Sequence, residues 1–597
     1  MALSRNTRLL MWISAFGVLI AVVVVVAAIL LSGEDEGPPT ELTWLRVRLE
    51  GEIADGPLPD SFFVDPEKIP LTLHEYAAVI EKAAGDPEIS GMYLELDGPQ
   101  MSMAGVQELR GAIAKLRAAD KHCTVWSKTY ENTSWYLATA CDDIRLHPEG
   151  VPMVIGLSVT TEHFAGTFEK IGVQADYERV GTFKSAIETY EQRQPSAPTQ
   201  EMYNSLLDSL FGNLVADTAA SRGMTEDEIK ALIDDPPITA KAALEKGMLD
   251  ALSYQDELVP EKNRFKLPDD TLAKLVGAQE YAGDLRSDWQ GPDKVVAVVH
   301  LQGSIIDGDS QSGGFGGSVI GDRTVVKMLD ELAKDDDVAA VVLRIDSPGG
   351  SALASDVMWR AIKQLDAKKP VVASMGGVAA SGGYYIAVGA RKIFAQPSTI
   401  TGSIGVFSGK FAISGLMEKV GVSTWTSRRG ALAGLLSSPE PFTDLERAKL
   451  RERIVDFYST FLAKVADGRG MTVEDVDAVA QGRVWTGAQA LDIHLVDELG
   501  SLDDAVNAAK ALAGIGADEA VGRRVLPRRS SFFEMLTKGL EGQASTDELL
   551  MAAGLRTATA PAPTDELTRR LDRAAVLYQI LDGGGIAAMD PDALSVR

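Results

Sequence analysis

The sequence is poor in the side chains that most often do chemistry. It has two cysteines and six histidines among 597 residues. Cys123 and Cys141 match no metal-ligand spacing, so nothing points to a metal site, and the two read equally well as a disulfide or as buried thiols. None of the histidines (His74, His122, His147, His163, His300 and His494) sits in a distinctive motif, which leaves a Ser-His-Asp triad without support. Basic residues are scarce as well: 58 Lys and Arg against 85 Asp and Glu give a net charge of -27. Such a surface repels phosphate backbones and excludes nucleic acid as a partner.

Long apolar runs are also missing, with one exception. From Leu9 to Leu31 the chain is almost wholly apolar. About 23 residues at ~1.5 Å each cover roughly 34 Å, the depth of a bilayer core. Arg5 and Arg8 precede the run and Glu34, Asp35 and Glu36 follow it, so the positive-inside tendency places the N-terminus in the cytoplasm and the bulk of the chain outside. The run is too long for a signal-peptide core and ends in Ile29-Leu30-Leu31 rather than at a small-residue cleavage site. An uncleaved transmembrane anchor over 1–31, with a linker over 32–42, is expected.

What is present in abundance is internal similarity. Val47–Ile53 matches Val299–Ile305, Met92–Asp97 matches Val341–Asp346, and Trp135–Ala138 matches Tyr384–Ala387. Glu169–Val173 likewise matches Glu418–Val422, and Arg222–Thr225 matches Arg469–Thr472. The order is preserved and the offset stays at about 250 residues, which marks two homologous domains, 43–290 and 294–515. In the second repeat, strand patterns at Val296–Leu301, Ala340–Ile345 and Val371–Ser374 alternate with helix patterns at Thr324–Lys334, Ala354–Ala367 and Asp444–Asp467. This alternation implies an α/β fold with crossover connections. The stretch 516–597, with its Arg523, Arg524, Arg528, Arg529 cluster and an Ala-Pro-rich segment, is expected to be a helical or partly flexible tail.

The chemistry concentrates where the two repeats differ. The second repeat carries Asp346-Ser-Pro-Gly349-Gly350 after an apolar strand, then Ala379-Ala-Ser381-Gly382-Gly-Tyr384 between a strand and a helix. A serine among small residues leaves room for a substrate chain. The N–H of Gly382, with that of Gly349 or Gly350, suits an oxyanion hole. In the first repeat Asn132 stands under Ser381, and Asp97-Gly98-Pro99-Gln100-Met101 lacks the glycine pair. A serine nucleophile needs a base. Lys184, in Gly181-Thr-Phe-Lys184, exists only in the first repeat, its counterpart being Ala433. This reciprocal loss points to one site assembled from two halves. Burial beside Phe183 would favour the neutral amine that a base requires. Ser403, in Thr401-Gly-Ser403-Ile-Gly-Val406, offers a hydroxyl to orient the lysine, or else serves a turn by bonding its own backbone; the first repeat has Val154 there.

These motifs together resemble those of the signal peptide peptidase A family of the long, tandem-repeat type, also called protease IV, over about residues 1–515. The resemblance implies tandem ClpP/crotonase-like domains, a Ser/Lys dyad without cofactor, and a bowl-shaped homotetramer in the bacterial inner membrane. The implied substrates are cleaved signal peptides and other unfolded peptides. Carried over by motif, Ser381 is the nucleophile, Lys184 the base and Ser403 its partner. Two other readings fit the same residues: a catalytically inactive membrane scaffold, or an acyl-CoA-processing crotonase-like enzyme.

Overall fold

A computed structural model describes residues 42–57, 70–310, 318–437, 439–527 and the backbone of 587–589. The expected membrane span and linker lie outside these residues. Among the described residues no helix is long and apolar enough to cross a membrane, and no cluster of His, Cys, Asp and Glu is arranged to hold a metal ion.

The first part of the chain runs β1 (Thr43–Glu52), α1 (Leu73–Gly85), β2 (Ile89–Gln100), α2 (Met103–Ala118), β3 (His122–Glu131), α3 (Asn132–Ala138), β4 (Asp143–Met153), β5 (Gln174–Val180), α4 (Ala197–Arg222), β6 (Ala251–Leu252), β7 (Arg264–Lys266) and β8 (Leu272–Gly277). All of these strands except β5 form one sheet in the order β6-β4-β3-β2-β1-β8-β7, parallel but for the last pair. Cys123, at the start of β3, is disulfide-bonded to Cys141 just past α3, which settles the pairing left open by the sequence.

The second part repeats the plan with β9 (Val295–Gln302), β10 (Ser304–Ile306), β11 (Val319–Gly321), α5 (Asp322–Lys334), β12 (Val338–Ser347), β13 (Gly349–Ser351), α6 (Ala352–Asp366), β14 (Val371–Ala380), α7 (Gly382–Ala387), β15 (Lys392–Ala395), β16 (Ile400–Gly402), β17 (Val406–Ala412), α8 (Asp444–Arg469), β18 (Val484–Thr486), β19 (Glu498–Leu499), α9 (Leu502–Leu512) and β20 (Gly522–Leu526). Its sheet has the order β18-β16-β14-β12-β9-β20. The central strands are near-continuous Val, Ala, Leu and Ile because helices cover both faces, as parallel sheets require. Capping chemistry sets the helix limits. In α8 the Thr443 hydroxyl and the Glu446 carboxylate satisfy each other's backbone N–H, and Gly470 closes the helix in the left-handed conformation.

The stretch beyond 515 departs from expectation. Gly522–Leu526 forms the edge strand β20, paired in parallel with β9, rather than a helical segment. Arg523 and Arg524 form ion pairs with Asp503 and Asp335, so half of the basic cluster serves to seat this strand.

A third, smaller sheet joins the repeats. Its order is β11-β10-β13-β21-β17-β5, where β21 is Ala587–Met589. Strand β5 from the first repeat pairs antiparallel along the whole of β17 from the second, from Gln174 opposite Ala412 to Val180 opposite Val406. The repeats are also locked by buried charge. Arg344, in the mostly apolar strand β12, donates to Asp55 Oδ1 at 2.7 Å and to Glu108 Oε2 at 2.7 Å. Burial alone would raise Asp55, but Arg344 and then His300 beside it hold its carboxyl well below the usual range. Burial pushes Glu108 up against the pull of Arg344. Removing one partner of such a cluster strands a buried charge. Asp55→Ala should therefore lower unfolding stability by about 3–5 kcal/mol in chemical denaturation; a loss below about 1 kcal/mol would place this cluster among surface-like ion pairs.

Candidate active site

Ser381 lies between β14 and α7, wholly buried, with φ 54° and ψ -112°. A non-glycine residue there carries strain of order 1–3 kcal/mol and persists only where its neighbours fix it. Two backbone bonds do so: its N–H donates to Gly402 O at 2.8 Å, and its carbonyl accepts from Tyr385 N–H at 2.9 Å. The next residue must be glycine. A Cβ on Gly382 would stand 2.6 Å from Ser355 Oγ and 3.2 Å from Gly350 N. The two glycine motifs are thus in contact, as their spacing in sequence does not reveal. Gly349 already donates its N–H to Ser347 Oγ at 3.2 Å.

Lys184 arrives from the other repeat. Strand β5 carries it along β17, and the chain then turns into the second repeat, where Phe183 N–H donates to Gln481 O at 2.8 Å. The fit is tight enough that a Cβ on Gly482 would lie 2.6 Å from Lys184 N. Behind the lysine, Arg179 Nη1 donates to Lys184 O at 3.0 Å and to Glu188 Oε1 at 2.8 Å. Burial works to raise the Glu188 carboxyl, but hydrogen bonds from Ser196, Arg179 and Thr199 outweigh it and hold the group low. The lysine loop is thereby pinned to the cap of α4.

Lys184 is 1% exposed, and its amine lies at hydrogen-bonding distance from Ser381 Oγ (2.9 Å), Ser403 Oγ (3.0 Å) and Ser403 O (3.1 Å). Ser403 is also fully buried, with φ 52°, and its own N–H donates to Arg483 O at 2.7 Å. All three residues belong to one chain. The structure therefore brings together Ser381, Lys184, Ser403, Gly382, Gly349 and Gly350, the Gly349 Cα standing as near a Cβ on Gly382, at 3.2 Å, as the Gly350 N does. Phe183 packs nearby among Met202, Leu206, Ile400 and Val484.

The corresponding positions in the first repeat have been put to structural use. Asn132 begins α3 as Ser381 precedes α7, but its amide is spent on a loop: Oδ1 accepts from Ile155 N–H at 3.0 Å and Gly156 N–H at 3.1 Å, and Nδ2 donates to Gly156 O at 2.8 Å. Val154, under Ser403, is a buried core residue.

The sequence reading missed the Arg344–Asp55–Glu108 cluster and the cradle formed by Gln481 and Gly482. A signal for the first was available. Arg344 aligns with Glu95 of the first repeat, so one strand position carries opposite charges in two apolar contexts; Glu95 accepts instead from Arg46 at 2.7 Å.

A serine and an amine buried against each other beside paired glycines define a serine peptidase built on ClpP-like α/β domains, and the Clp protease profile matches residues 320–401. The chain belongs to peptidase family S49, whose profile matches twice, over residues 115–266 and 363–516. It is 33% identical over 476 residues to the chloroplastic serine protease SPPA of Arabidopsis thaliana, a match covering 79% of this chain and 70% of that protein. It is 32% identical over 480 residues to Protease 4 of Haemophilus influenzae, covering 76% and 75% respectively.

The reassigned first-repeat position yields a test. Asn132→Ser restores a hydroxyl but removes the bonds to 155–156. Stability should fall by about 1–3 kcal/mol. Intact mass after fluorophosphonate treatment should still show one adduct per chain, whereas a second adduct would mean that the first repeat retains a latent site.

Proposed function

We propose that the protein is a membrane-anchored serine endopeptidase in which Ser381 is the nucleophile and Lys184 the general base, degrading cleaved signal peptides and other unfolded segments. The observation that carries this reading is the 2.9 Å contact between the buried amine and hydroxyl, made across the two repeats. Desolvation favours the neutral amine. A neutral amine has two N–H donors and one lone pair. The donors match the Ser403 hydroxyl and carbonyl, which leaves the lone pair facing Ser381 Oγ–H. In this role Ser403 orients the base.

As Oγ attacks a peptide carbonyl, its proton passes to Lys184 Nζ. The N–H groups of Gly382 and Gly350 receive the oxyanion; Gly349 is the weaker candidate because its N–H is already donated to Ser347. Lys184 then protonates the leaving amine, and a water repeats the sequence on the acyl-enzyme. Substrate would lie extended along β13, whose backbone offers main-chain pairing that does not depend on side-chain identity. Such recognition suits unfolded peptides.

The apolar run Leu9–Leu31 supports anchoring at 1–31 with a linker over 32–42 and the repeats, 43–290 and 294–515, outside the cytoplasm. The Cys123–Cys141 disulfide agrees with that compartment. Assembly as a homotetramer in the bacterial inner membrane belongs to the same proposal and rests on the family resemblance.

Ser381→Ala and Lys184→Ala should each lower kcat/KM on an unstructured peptide by about 10³-fold or more with unchanged circular dichroism, and Ser403→Ala by less. Full activity in Lys184→Ala would refute the base assignment.

A further inference from the structure

Strand β14 reaches Ser381 through a bulge. From Ile345 opposite Met375 to Ser347 opposite Ala379, β12 advances two residues while β14 advances four. On its other edge β14 pairs first with β15, from Val372 opposite Lys392 to Ser374 opposite Phe394. After the bulge it pairs with β16, from Val378 opposite Ile400 to Ala380 opposite Gly402. The change of partner delivers the next residue, Ser381, to Gly402 O and to the Lys184 amine. A bulge re-aims a side chain in this way, and it leaves ladder groups without a strand partner.

Asp346 sits inside the bulge. Its Oδ1 accepts from Val378 N–H at 2.9 Å, three residues before Ser381. Gly376 and Gly377 wrap the carboxyl: a Cβ on Gly376 would stand 3.3 Å from Asp346 Cγ, and one on Gly377 would stand 3.5 Å from Oδ1. The Asp346 carbonyl accepts from Gly303 N–H at 3.0 Å, at the entry to β10, whose Ile305 pairs with Gly350. One residue thus bonds the strand that ends at Ser381 and the turn into the strand that seats Gly350.

The first repeat meets the same need with a different side chain. Counted back from Asn132 and Ser381, Thr129 matches Val378 and Ser127 matches Gly376. Thr129 N–H donates to Ser127 Oγ at 3.2 Å, and that hydroxyl lies 2.9 Å from Leu96 O. Asp97, the match of Asp346, accepts instead from Arg48 Nη2 at 3.0 Å. The same N–H is clamped in both halves, by a serine where the nucleophile is missing and by an aspartate where it is present.

We infer that Asp346 is a positioning residue for the reaction: its side-chain oxygen holds Val378 N–H, and so fixes the bulge that aims Ser381 at its base and at the Gly350 N–H. The inference rests on the reading of Ser381 as the nucleophile. Burial, and then the charge of Asp55, push the Asp346 carboxyl up to about 6. Asp346→Asn therefore removes a charge that its surroundings disfavour and keeps an acceptor oxygen, whereas Asp346→Ala removes the acceptor.

The test measures kcat and KM on an unstructured peptide for the wild type, Asp346→Ala, Asp346→Asn, Asp346→Ala combined with Gly376→Ser, and Ser381→Ala. In Asp346→Ala kcat should fall about 10²-fold with KM changed by no more than about twofold, the effect of moving a reacting group by about 1 Å. Asp346→Asn should stay within about threefold of wild-type kcat. The double variant supplies the first repeat's hydroxyl and should regain about tenfold or more of the loss. If Asp346→Ala does not fold, the other two carry the test, and a folded Asp346→Asn with kcat lowered about 10²-fold would overturn the inference. So would wild-type kcat in folded Asp346→Ala; with Ser381→Ala inactive, that result leaves the nucleophile assignment standing. Full activity in Ser381→Ala would refute that assignment and this inference together.

Discussion

The antiparallel pairing of β5 with β17 is the constraint on which this molecule turns. Neither repeat holds both members of the proposed dyad: Lys184 belongs to one and Ser381 to the other. Seven paired positions fix the direction and depth at which the first repeat enters the second, and four residues beyond the last pair the amine meets the hydroxyl. A strand slip of one residue would turn every side chain on β5 to the opposite face. That crossing needs a rigid frame. The Arg344–Asp55–Glu108 cluster, the stretch of α4 packed against Ile400 and Val484, and the arginines of α8 bonded to Asp176 and Glu178 on β5 all lie across the same boundary.

The duplication explains how such a site arises. Once one lysine and one serine suffice, the alternate pair is released from chemical duty. Asn132 became a loop clamp and Val154 a core residue, each stabilising its own half. The strain at Ser381 persists in the second repeat alone, where two backbone hydrogen bonds hold it.

Much of this was legible in the residues. The offset repeat and the near-continuous apolar strands gave the layered α/β plan, and expected limits agree with the structure within a few residues: Asp444–Asp467 against Asp444–Arg469, and Ala354–Ala367 against Ala352–Asp366. The shorter expectation for β14, Val371–Ser374, stopped before Gly376 and Gly377, whose strand conformation depends on neighbours rather than propensity. The comparison of the repeats singled out Ser381, Lys184 and Ser403, and the structure places both serine hydroxyls within hydrogen-bonding distance of the Lys184 amine. What escaped were pairings between distant residues with no local signature. Arg344 and Asp55 are 289 positions apart, β20 reads as a basic tail, and the short strand β21 finds its partner only in the folded cleft.

The claim at the centre is that one chain supplies both halves of the site. Co-expression of Ser381→Ala and Lys184→Ala chains carrying different affinity tags, followed by purification through both tags in turn, isolates whatever mixed assemblies form. Peptidase activity in that fraction should stay at the level of the single variants, because no chain holds both groups. Recovery of a substantial share of wild-type activity would show that the lysine serves a serine in a neighbouring chain, and would contradict the account.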